Sequence, residues 1–149
     1  MRYLGLDLGT KTLGISISDE SHIIASTYKT IIFNENDYDS LIPILSDIIK
    51  EYNVGKIVLG FPKNMNNTIG DRCLVTLKFK DLLVSSFNIE VVLQDERLST
   101  VEATNYMLEA DISRKKRKKK IDTLAANIIL QTYMDKERGG FYEGRSNDF

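Results

Sequence analysis

The first thirty residues of the chain alternate between apolar and small or polar side chains. Alternation with a period of two is typical of β-strands, and the pattern breaks briefly near Gly9 and Asp19. A third extended run covers about 22–32. The segment therefore predicts an antiparallel three-stranded meander. The apolar positions of its first two strands are Leu4, Leu6 and Leu8, then Leu13, Ile15 and Ile17.

Helical and strand patterns follow one another along the rest of the chain. Apolar residues three and four apart predict helices, the first capped by Asp39 or Ser40 and the last beginning at Asp122. Short apolar runs between them predict strands that are buried on both faces. This order predicts an α/β fold, a mixed five-stranded sheet with helices on both faces. The predicted helices cover about 41–52, 71–87, 99–110 and 122–136, and the added strands 54–60 and 89–93.

The length of 149 residues predicts a single domain. We assign that domain to residues 1–136, and the polar, glycine-bearing segment 137–149 is predicted to be a flexible tail. Asp7 interrupts the apolar N-terminal segment, where a signal peptide would keep an unbroken apolar core. No apolar run approaches the roughly 18 to 20 residues that span a bilayer. We therefore expect neither secretion nor a membrane span.

Cations are concentrated in one run, "RKKRKKK" at 114–120. The rest of the chain has 13 basic residues against 21 acidic ones, although the formal net charge of the whole is only −1. Such patterning predicts a polyanionic partner at one site, whereas a solvated charge run is the plainer interpretation. The candidate phosphate contacts in this run are Arg114, Lys115, Lys116, Arg117, Lys118, Lys119 and Lys120.

The chain has one cysteine, Cys73, and one histidine, His22. A single cysteine excludes an internal disulfide framework and a cysteine-rich zinc site, and a single histidine excludes a site built on several imidazoles. Any metal site in this chain would therefore need oxygen ligands.

Three acids lie at predicted element ends. Asp7 is near the end of the first strand, Glu96 follows the last strand, and Asp122 begins the last helix. Because ligands of open α/β sheets bind beyond the carboxyl ends of the strands, these acids can converge. Three carboxylates without sulfur or imidazole suit Mg²⁺ or Mn²⁺. Such a site supports hydrolysis of phosphodiester bonds.

Each acid also has a structural interpretation when it is taken singly. Asp7 could cap the turn at Gly9, Glu96 could form a surface pair with Arg97, and Asp122 could cap its helix. It is the joint placement of the three acids that favours a common site.

Three further residues beside these acids are candidates for substrate binding. Thr10 and Lys11 could bind a phosphate in the turn after Asp7, or could form a plain hairpin turn. Arg97 could contact a phosphate or orient the neighbouring Glu96 carboxylate, and the fork geometry of arginine favours orientation.

Four sequence blocks carry a resemblance to a known family. They are "GLDLGTKTLGISISD" at 5–19, "VLGFPKNMNNTIG" at 58–70, "DERLSTVEA" at 95–103 and "SRKKRKKKIDTLAANIILQ" at 113–131. In this order they resemble the pre-16S rRNA nuclease family, also called Holliday-junction-resolvase-like, over about residues 2–136.

The resemblance implies an RNase H-like fold and a divalent-metal-dependent nuclease that acts on precursor ribosomal RNA in the bacterial cytoplasm. It implies catalytic and metal-binding roles for Asp7, Glu96 and Asp122. Asn67 stands where the family commonly has glycine, and Gln94 replaces a residue that is often aromatic. Neither departure affects a proposed metal ligand.

Other functions remain open at the level of sequence. A Holliday-junction resolvase acting on branched DNA would use the same acids, and a noncatalytic RNA-binding ribosome-assembly factor would use the same cations. The block at 7–19 also resembles the phosphate loop of actin-like ATPases, but a domain of this length lacks their second lobe. The sequence leaves monomer and homodimer equally open.

Overall fold

Five β-strands form one mixed sheet in the computed structural model, which describes residues 1–61, 71–95 and 114–138 but not the side chains of residues 71 and 114–123. The strand order is β3-β2-β1-β4-β5. The strand β1 is antiparallel to β2 and parallel to β4, and β5 extends the parallel half. The strands are β1 (Arg2–Leu8), β2 (Thr12–Ser18), β3 (Ala25–Ile32), β4 (Val54–Phe61) and β5 (Glu90–Asp95).

Helices cover both faces of this sheet. On one face α1 (Leu41–Tyr52), preceded by the 3₁₀ turn Tyr38–Ser40, and α2 (Asp71–Phe87) pack on the larger apolar core. On the other face α3 (Arg114–Glu137) packs on a smaller one. The prediction of a mixed five-stranded sheet with helices on both faces is confirmed. Fully buried side chains of the larger core include Leu4, Leu6, Ile15, Leu41, Leu59 and Phe79.

Two asparagines end the first two helices. Asn53 and Asn88 both have a φ of 53°, the left-handed conformation that asparagine tolerates best after glycine. Each backbone N–H closes the last helical turn, from Asn53 to the Ile49 carbonyl and from Asn88 to the Val84 carbonyl. At the start of α1, Ser40 is the N-cap residue, as one predicted alternative had it. Its hydroxyl, however, donates to the Asp37 carbonyl and caps no helical amide.

The third strand is shorter than predicted. The expected run at 22–32 begins as a strand only at Ala25, because the Asp19 carboxylate accepts hydrogen bonds from the N–H groups of Ile23 (2.7 Å) and Ile24 (3.0 Å). His22, with a φ of 59°, completes this local loop. The side chain of Asp19 thus overrides the local strand pattern.

The last helix begins earlier than predicted. It runs from Arg114, so Asp122 is its ninth residue and the basic run forms its first two turns. Lysine and arginine favour helix, whereas the apolar spacing marks only the part of a helix that faces a core. The predicted start at Asp122 is therefore wrong. The predicted helix at 99–110 lies outside the described residues.

The C-terminal end of α3 is fastened to the sheet. The Tyr3 hydroxyl donates to the Glu137 carboxylate at 2.8 Å, and the Lys56 ammonium lies 3.2 Å from the same carboxylate. Lys56 also donates to the Tyr133 hydroxyl at 2.9 Å. Glu137 was assigned to the tail by sequence, yet it is the last helical residue. The tail boundary otherwise stays a prediction, because residues 139–149 lie outside the description.

None of the helices in the described part of the chain combines the length and the apolar character that crossing a membrane requires.

Candidate functional site

Asp7 is the penultimate residue of β1 and is partly buried. Tyr3 belongs to the α3-side core, so the period of two puts Asp7 on the face covered by α3. On β2 the partner of Asp7 is Gly14. On β4 the register pairs Leu6 with Leu59, and its continuation by one residue sets Gly60 beside Asp7. The strand neighbours of this carboxylate are thus both glycines.

The same row of residues continues to Gln94 on β5, the partner of Gly60. Gln94 is 7% exposed, whereas the next residue, Asp95, is exposed. Val92 packs on the α3-side core, so Val92 and Gln94 share the face of Asp7, as the alternation predicts. The alternation in the sequence already puts Gln94 on the face of Glu96, two residues later, but the sequence assigned it no role in metal binding.

The helix α3 runs antiparallel to β1. Its residues Ala126 and Leu130 lie against Gly5, and Glu137 near its end meets Tyr3. Earlier helical positions therefore lie toward the carboxyl end of β1, the end that carries Asp7. The backbone of Asp122 is one turn before Ala126. Because the helix begins at Arg114, the interpretation of Asp122 as a helix cap is wrong.

The predicted three-acid site is described only in part. Glu96 and Arg97 lie outside the described residues, and for Asp122 only the backbone is described. Among the described residues there is no group of three or more acids, histidines or cysteines placed so that they could hold a metal ion together. The common site of Asp7, Glu96 and Asp122 therefore stays a prediction, and so does the role of Arg97.

Thr10 and Lys11 are the two central residues of the tight turn between β1 and β2. The Gly9 N–H donates to the Thr12 carbonyl at 2.7 Å, and both Thr10 and Lys11 are exposed. The hairpin interpretation therefore describes their backbone. Both side chains are exposed in the turn that follows the Asp7 end of β1, so the predicted phosphate contact is compatible with their position.

The basic run at 114–120 has a helical backbone. The run therefore belongs to the same helix as Asp122 and precedes it, and the later residues of that helix pack on the sheet. Its predicted role in phosphate binding is unchanged by this and stays a prediction.

Arg72 is a cation near this site that sequence reasoning missed. It lies at the start of α2, and its guanidinium donates a hydrogen bond of 2.9 Å to the Leu8 carbonyl. Leu8 follows Asp7 directly. A cation in the first turn after a predicted loop was the only signal in the sequence, and it does not reveal this contact.

Neither Cys73 nor His22 belongs to this site. Cys73 is fully buried in α2, as expected for a small residue on a helix face. The His22 ring stacks on Tyr3 with a centroid distance of 3.8 Å, and its Nε2 lies 2.8 Å from the Met1 carbonyl oxygen. These contacts give both residues a structural role.

The residues around Asp7 fit a hard divalent cation. A partly buried carboxylate provides oxygen ligands of the type that Mg²⁺ and Mn²⁺ prefer. Gly14 and Gly60 place no side chain beside Asp7, and the Gln94 amide adds a neutral oxygen in the same row. No sulfur or imidazole among the described residues of this row would favour a softer metal.

The strand order, with α3 covering the face that carries Asp7, defines an RNase H-like domain of the RuvC-like type. The Thermus thermophilus RuvC in complex with a Holliday junction substrate matches 93% of this chain and 97% of its own, with a TM-score of 0.56 and 12% identity. A Fowlpox virus resolvase in complex with Holliday junction DNA matches 92% of this chain and 99% of its own, with a TM-score of 0.51 and 15% identity. At these identities the likeness concerns the fold.

The family is more specific than the fold. A family model described as "RuvX: Holliday junction resolvase" matches residues 1–136, and the chain belongs to this family. A protein of Bacillus subtilis (strain 168) named "Putative pre-16S rRNA nuclease" is 52% identical over 135 residues, 91% of this chain and 98% of that protein. A Geobacillus sp. (strain WCH70) protein of the same name is 50% identical over 138 residues, 93% of this chain and all of that protein. The resemblance noted in the sequence is confirmed.

Proposed function

We propose that this protein is a divalent-metal-dependent nuclease that hydrolyses phosphodiester bonds of structured RNA, in maturation of the pre-16S rRNA end during ribosome biogenesis. The observation that carries the proposal is the position of Asp7, partly buried at the carboxyl end of β1 between two glycine-bearing strands. The names of relatives about 50% identical to this chain support RNA as the substrate. Such a function belongs in the bacterial cytoplasm.

In this proposal Asp7, Glu96 and Asp122 hold Mg²⁺ or Mn²⁺. When bound, the metal supplies an activated water and neutralises charge on the phosphate that is cut. The three acids come from two strand ends and one helix, so they approach the reacting phosphate from different sides. The acids therefore lie at the carboxyl ends of the strands, where open α/β folds bind their ligands.

The cations and the β1–β2 turn bind the substrate in this proposal. Thr10 and Lys11 offer a hydroxyl and an ammonium at an exposed turn two residues after Asp7. The run at 114–120 provides affinity without sequence preference, since such contacts neutralise phosphates and release counterions. Arg97 orients the Glu96 carboxylate through its guanidinium fork.

The decisive experiment is incubation of precursor ribosomal RNA with wild-type protein and with Asp7→Asn, in Mg²⁺ and in Mn²⁺, with the product ends mapped. We expect metal-dependent cleavage by the wild type and none by the variant. The matched control is Asp39→Asn, which neutralises an exposed acid far from β1 in the chain and should cleave as the wild type does. Equal cleavage by Asp7→Asn and wild type would refute the proposal.

A Holliday-junction resolvase is the second candidate function. It is favoured by the description of the family and by the two resolvases of the same fold. The same acids would serve it, with branched DNA as the substrate. A four-way DNA junction in the same assay separates the two: symmetric nicking of the junction without processing of the RNA would favour resolution.

A noncatalytic RNA-binding ribosome-assembly factor is the third possibility, because it would need the cations and not the acids. It predicts that wild type and Asp7→Asn bind precursor RNA alike and that neither cleaves it. The number of protomers in the active form stays a prediction of monomer or homodimer.

A further inference from the structure

The helix α3 crosses the strand β1 at Gly5, where the two backbones approach closely. A Cβ built on Gly5 would lie 2.7 Å from the Leu130 Cβ and 3.0 Å from the Ala126 carbonyl oxygen. Carbon atoms in contact ordinarily lie about 3.5–4.0 Å apart. The same Cβ would lie 2.5 Å from the Ser16 hydroxyl oxygen, so a side chain at position 5 would displace that hydroxyl and push the helix away from the strand by about 1 Å.

A hydrogen bond fixes the helix at the same crossing. The Ser16 hydroxyl, on the neighbouring strand β2, donates to the Ala126 carbonyl at 2.9 Å, and Ser16 is fully buried. Gly5 is the direct strand partner of Ser16. Gly5 thus sets the height of the helix above the sheet, and Ser16 sets its position along its own axis.

This crossing is the nearest fixed point to the two acids proposed on β1 and α3. Asp7 is two residues beyond Gly5 on the same face of the strand, a distance of about 6.6 Å. Asp122 is four residues before Ala126, a distance of about 6 Å along the helix axis. Because strand and helix are antiparallel, Asp7 and the backbone of Asp122 are displaced from the crossing toward the same end of the sheet. The two displacements are also nearly equal in length.

We infer that Gly5 and Ser16 are positioning residues, which hold the α3 backbone that carries Asp122 at a fixed height and position over the end of β1 that carries Asp7. The contacts of Gly5 and Ser16 with α3 are observed, whereas their role in metal binding rests on the proposed function. Neither residue touches the reacting atoms. They act through the placement of the Ala126 turn.

The test compares Ser16→Ala with Ser18→Ala, and it reads Mn²⁺ affinity by electron paramagnetic resonance on the full chain without RNA. Ser18 is the matched control, since it is 2% exposed and lies on the same strand. Its hydroxyl accepts from the Tyr3 N–H at 2.8 Å and donates to the Asp19 carbonyl, so it never reaches α3. Both substitutions remove a buried hydroxyl from β2.

We expect Ser16→Ala to weaken Mn²⁺ binding by about tenfold, the effect typical of residues that orient metal ligands. It should also speed hydrogen exchange of the Leu130 amide, which bonds to the Ala126 carbonyl within the helix. Ser18→Ala should change neither quantity. Wild-type Mn²⁺ affinity in folded Ser16→Ala, or an equal loss in Ser18→Ala, would overturn the inference.

Gly5→Ala provides a second, stronger perturbation of the same contact. Loss of groups that orient metal ligands lowers metal affinity by about 10- to 100-fold, and this larger displacement should lie at the upper end, so Mn²⁺ should bind more weakly than in Ser16→Ala. If Gly5→Ala does not fold, the Ser16→Ala comparison still decides. Failure of the proposed function is recognised separately, because wild type and Asp7→Asn would then bind Mn²⁺ alike. Failure of this inference alone leaves that difference intact.

Discussion

The guanidinium of Arg72 donates a hydrogen bond of 2.9 Å to the carbonyl oxygen of Leu8, the residue after Asp7. This contact joins the start of α2 to the end of β1, although the two residues are 64 positions apart in the sequence. A partly buried cation therefore holds the backbone that carries the candidate catalytic carboxylate.

Replacement of Arg72 should reduce cleavage more than it reduces stability. Loss of one hydrogen bond costs about 1 kcal/mol in the free energy of unfolding, but it frees the strand end beside Asp7. We expect Arg72→Gln to lower kcat for RNA cleavage by about tenfold with KM nearly unchanged. Arg72→Lys, which keeps the charge but loses the fork, should be intermediate.

The matched control is Lys78→Gln, which removes an exposed cation from the same helix. It should behave as the wild type in both kinetics and unfolding. A rise in KM with an unchanged kcat in Arg72→Gln would contradict the positioning role and would indicate simple substrate attraction instead.

Replacement of Asp122 should abolish cleavage without a large loss of stability. The helix begins eight residues earlier, at Arg114, so Asp122 is not needed to cap free amides at its start. We expect Asp122→Asn to unfold in urea within about 0.5 kcal/mol of the wild type. Cleavage in Mg²⁺ or Mn²⁺ should fall below detection.

Asp135→Asn is the control on the same helix, because its carboxylate has only partly exposed contacts, a pair with Arg138 at 2.6 Å and a hydrogen bond accepted from Gln131 at 3.1 Å. Such pairs contribute little to stability, and cleavage should be retained. Retained cleavage in purified Asp122→Asn would show that this aspartate is not a metal ligand.

The strands and buried helices of this fold could be predicted from sequence, because their buried residues recur with the period of the strand or the helix. Leu4, Leu6 and Leu8 alternate since one side of β1 faces the larger core, and this requires no knowledge of partners. The start of α3 could not be predicted in this way. Its first turns consist of cations, which favour helix but give no apolar period.

A residue of the candidate site could be predicted only where its own type and position in the sequence were informative without knowledge of its neighbours in space. Asp7 was found because an acid at a strand end is unusual in an apolar run. Arg72 was missed since its contact with the Leu8 carbonyl depends on how α2 returns over the sheet. The row formed by Gly14, Gly60 and Gln94 beside Asp7 was also missed. It depends on the strand register, which brings together residues that are far apart in the sequence.

Removal of cations from the basic run should flatten the salt dependence of RNA binding. Each phosphate contact contributes about 0.7 to 0.9 to the slope of log affinity against log salt. The variant Lys116→Gln, Lys118→Gln, Lys120→Gln should therefore lower the slope by roughly two units if all three contact phosphate. Glutamine favours helix about as well as lysine, so α3 should persist.

The matched control replaces three exposed lysines elsewhere, Lys29→Gln, Lys50→Gln and Lys78→Gln. It lowers the positive charge of the whole protein but should leave the slope close to that of the wild type. Filter binding from about 50 to about 300 mM salt, over which the Debye length falls from about 14 Å to about 6 Å, provides the measurement. An equal change in both variants would mean that net charge, and not the run, governs binding.

The contacts of Glu137 predict how stability depends on pH. Burial raises the pKa of this carboxyl, but hydrogen bonds from Tyr3 and Lys56 outweigh burial and hold the pKa below its ordinary value of 4.5. A lowered pKa in the folded state means that the stabilisation is present above about 4.5 and is lost as the pH falls through the folded pKa. Glu137→Gln should therefore remove part of the acid sensitivity of unfolding.

Urea unfolding between pH 7 and pH 3 measures this directly. At pH 7 we expect Glu137→Gln to be less stable by about 1 kcal/mol, since Lys56 keeps its Tyr133 contact but loses a charged partner. The difference from wild type should shrink toward low pH, where the wild-type carboxyl is itself protonated. Glu35→Gln, at an exposed loop position, should show no such convergence. A constant gap between Glu137→Gln and wild type at every pH would show that the carboxylate charge does not hold the end of α3.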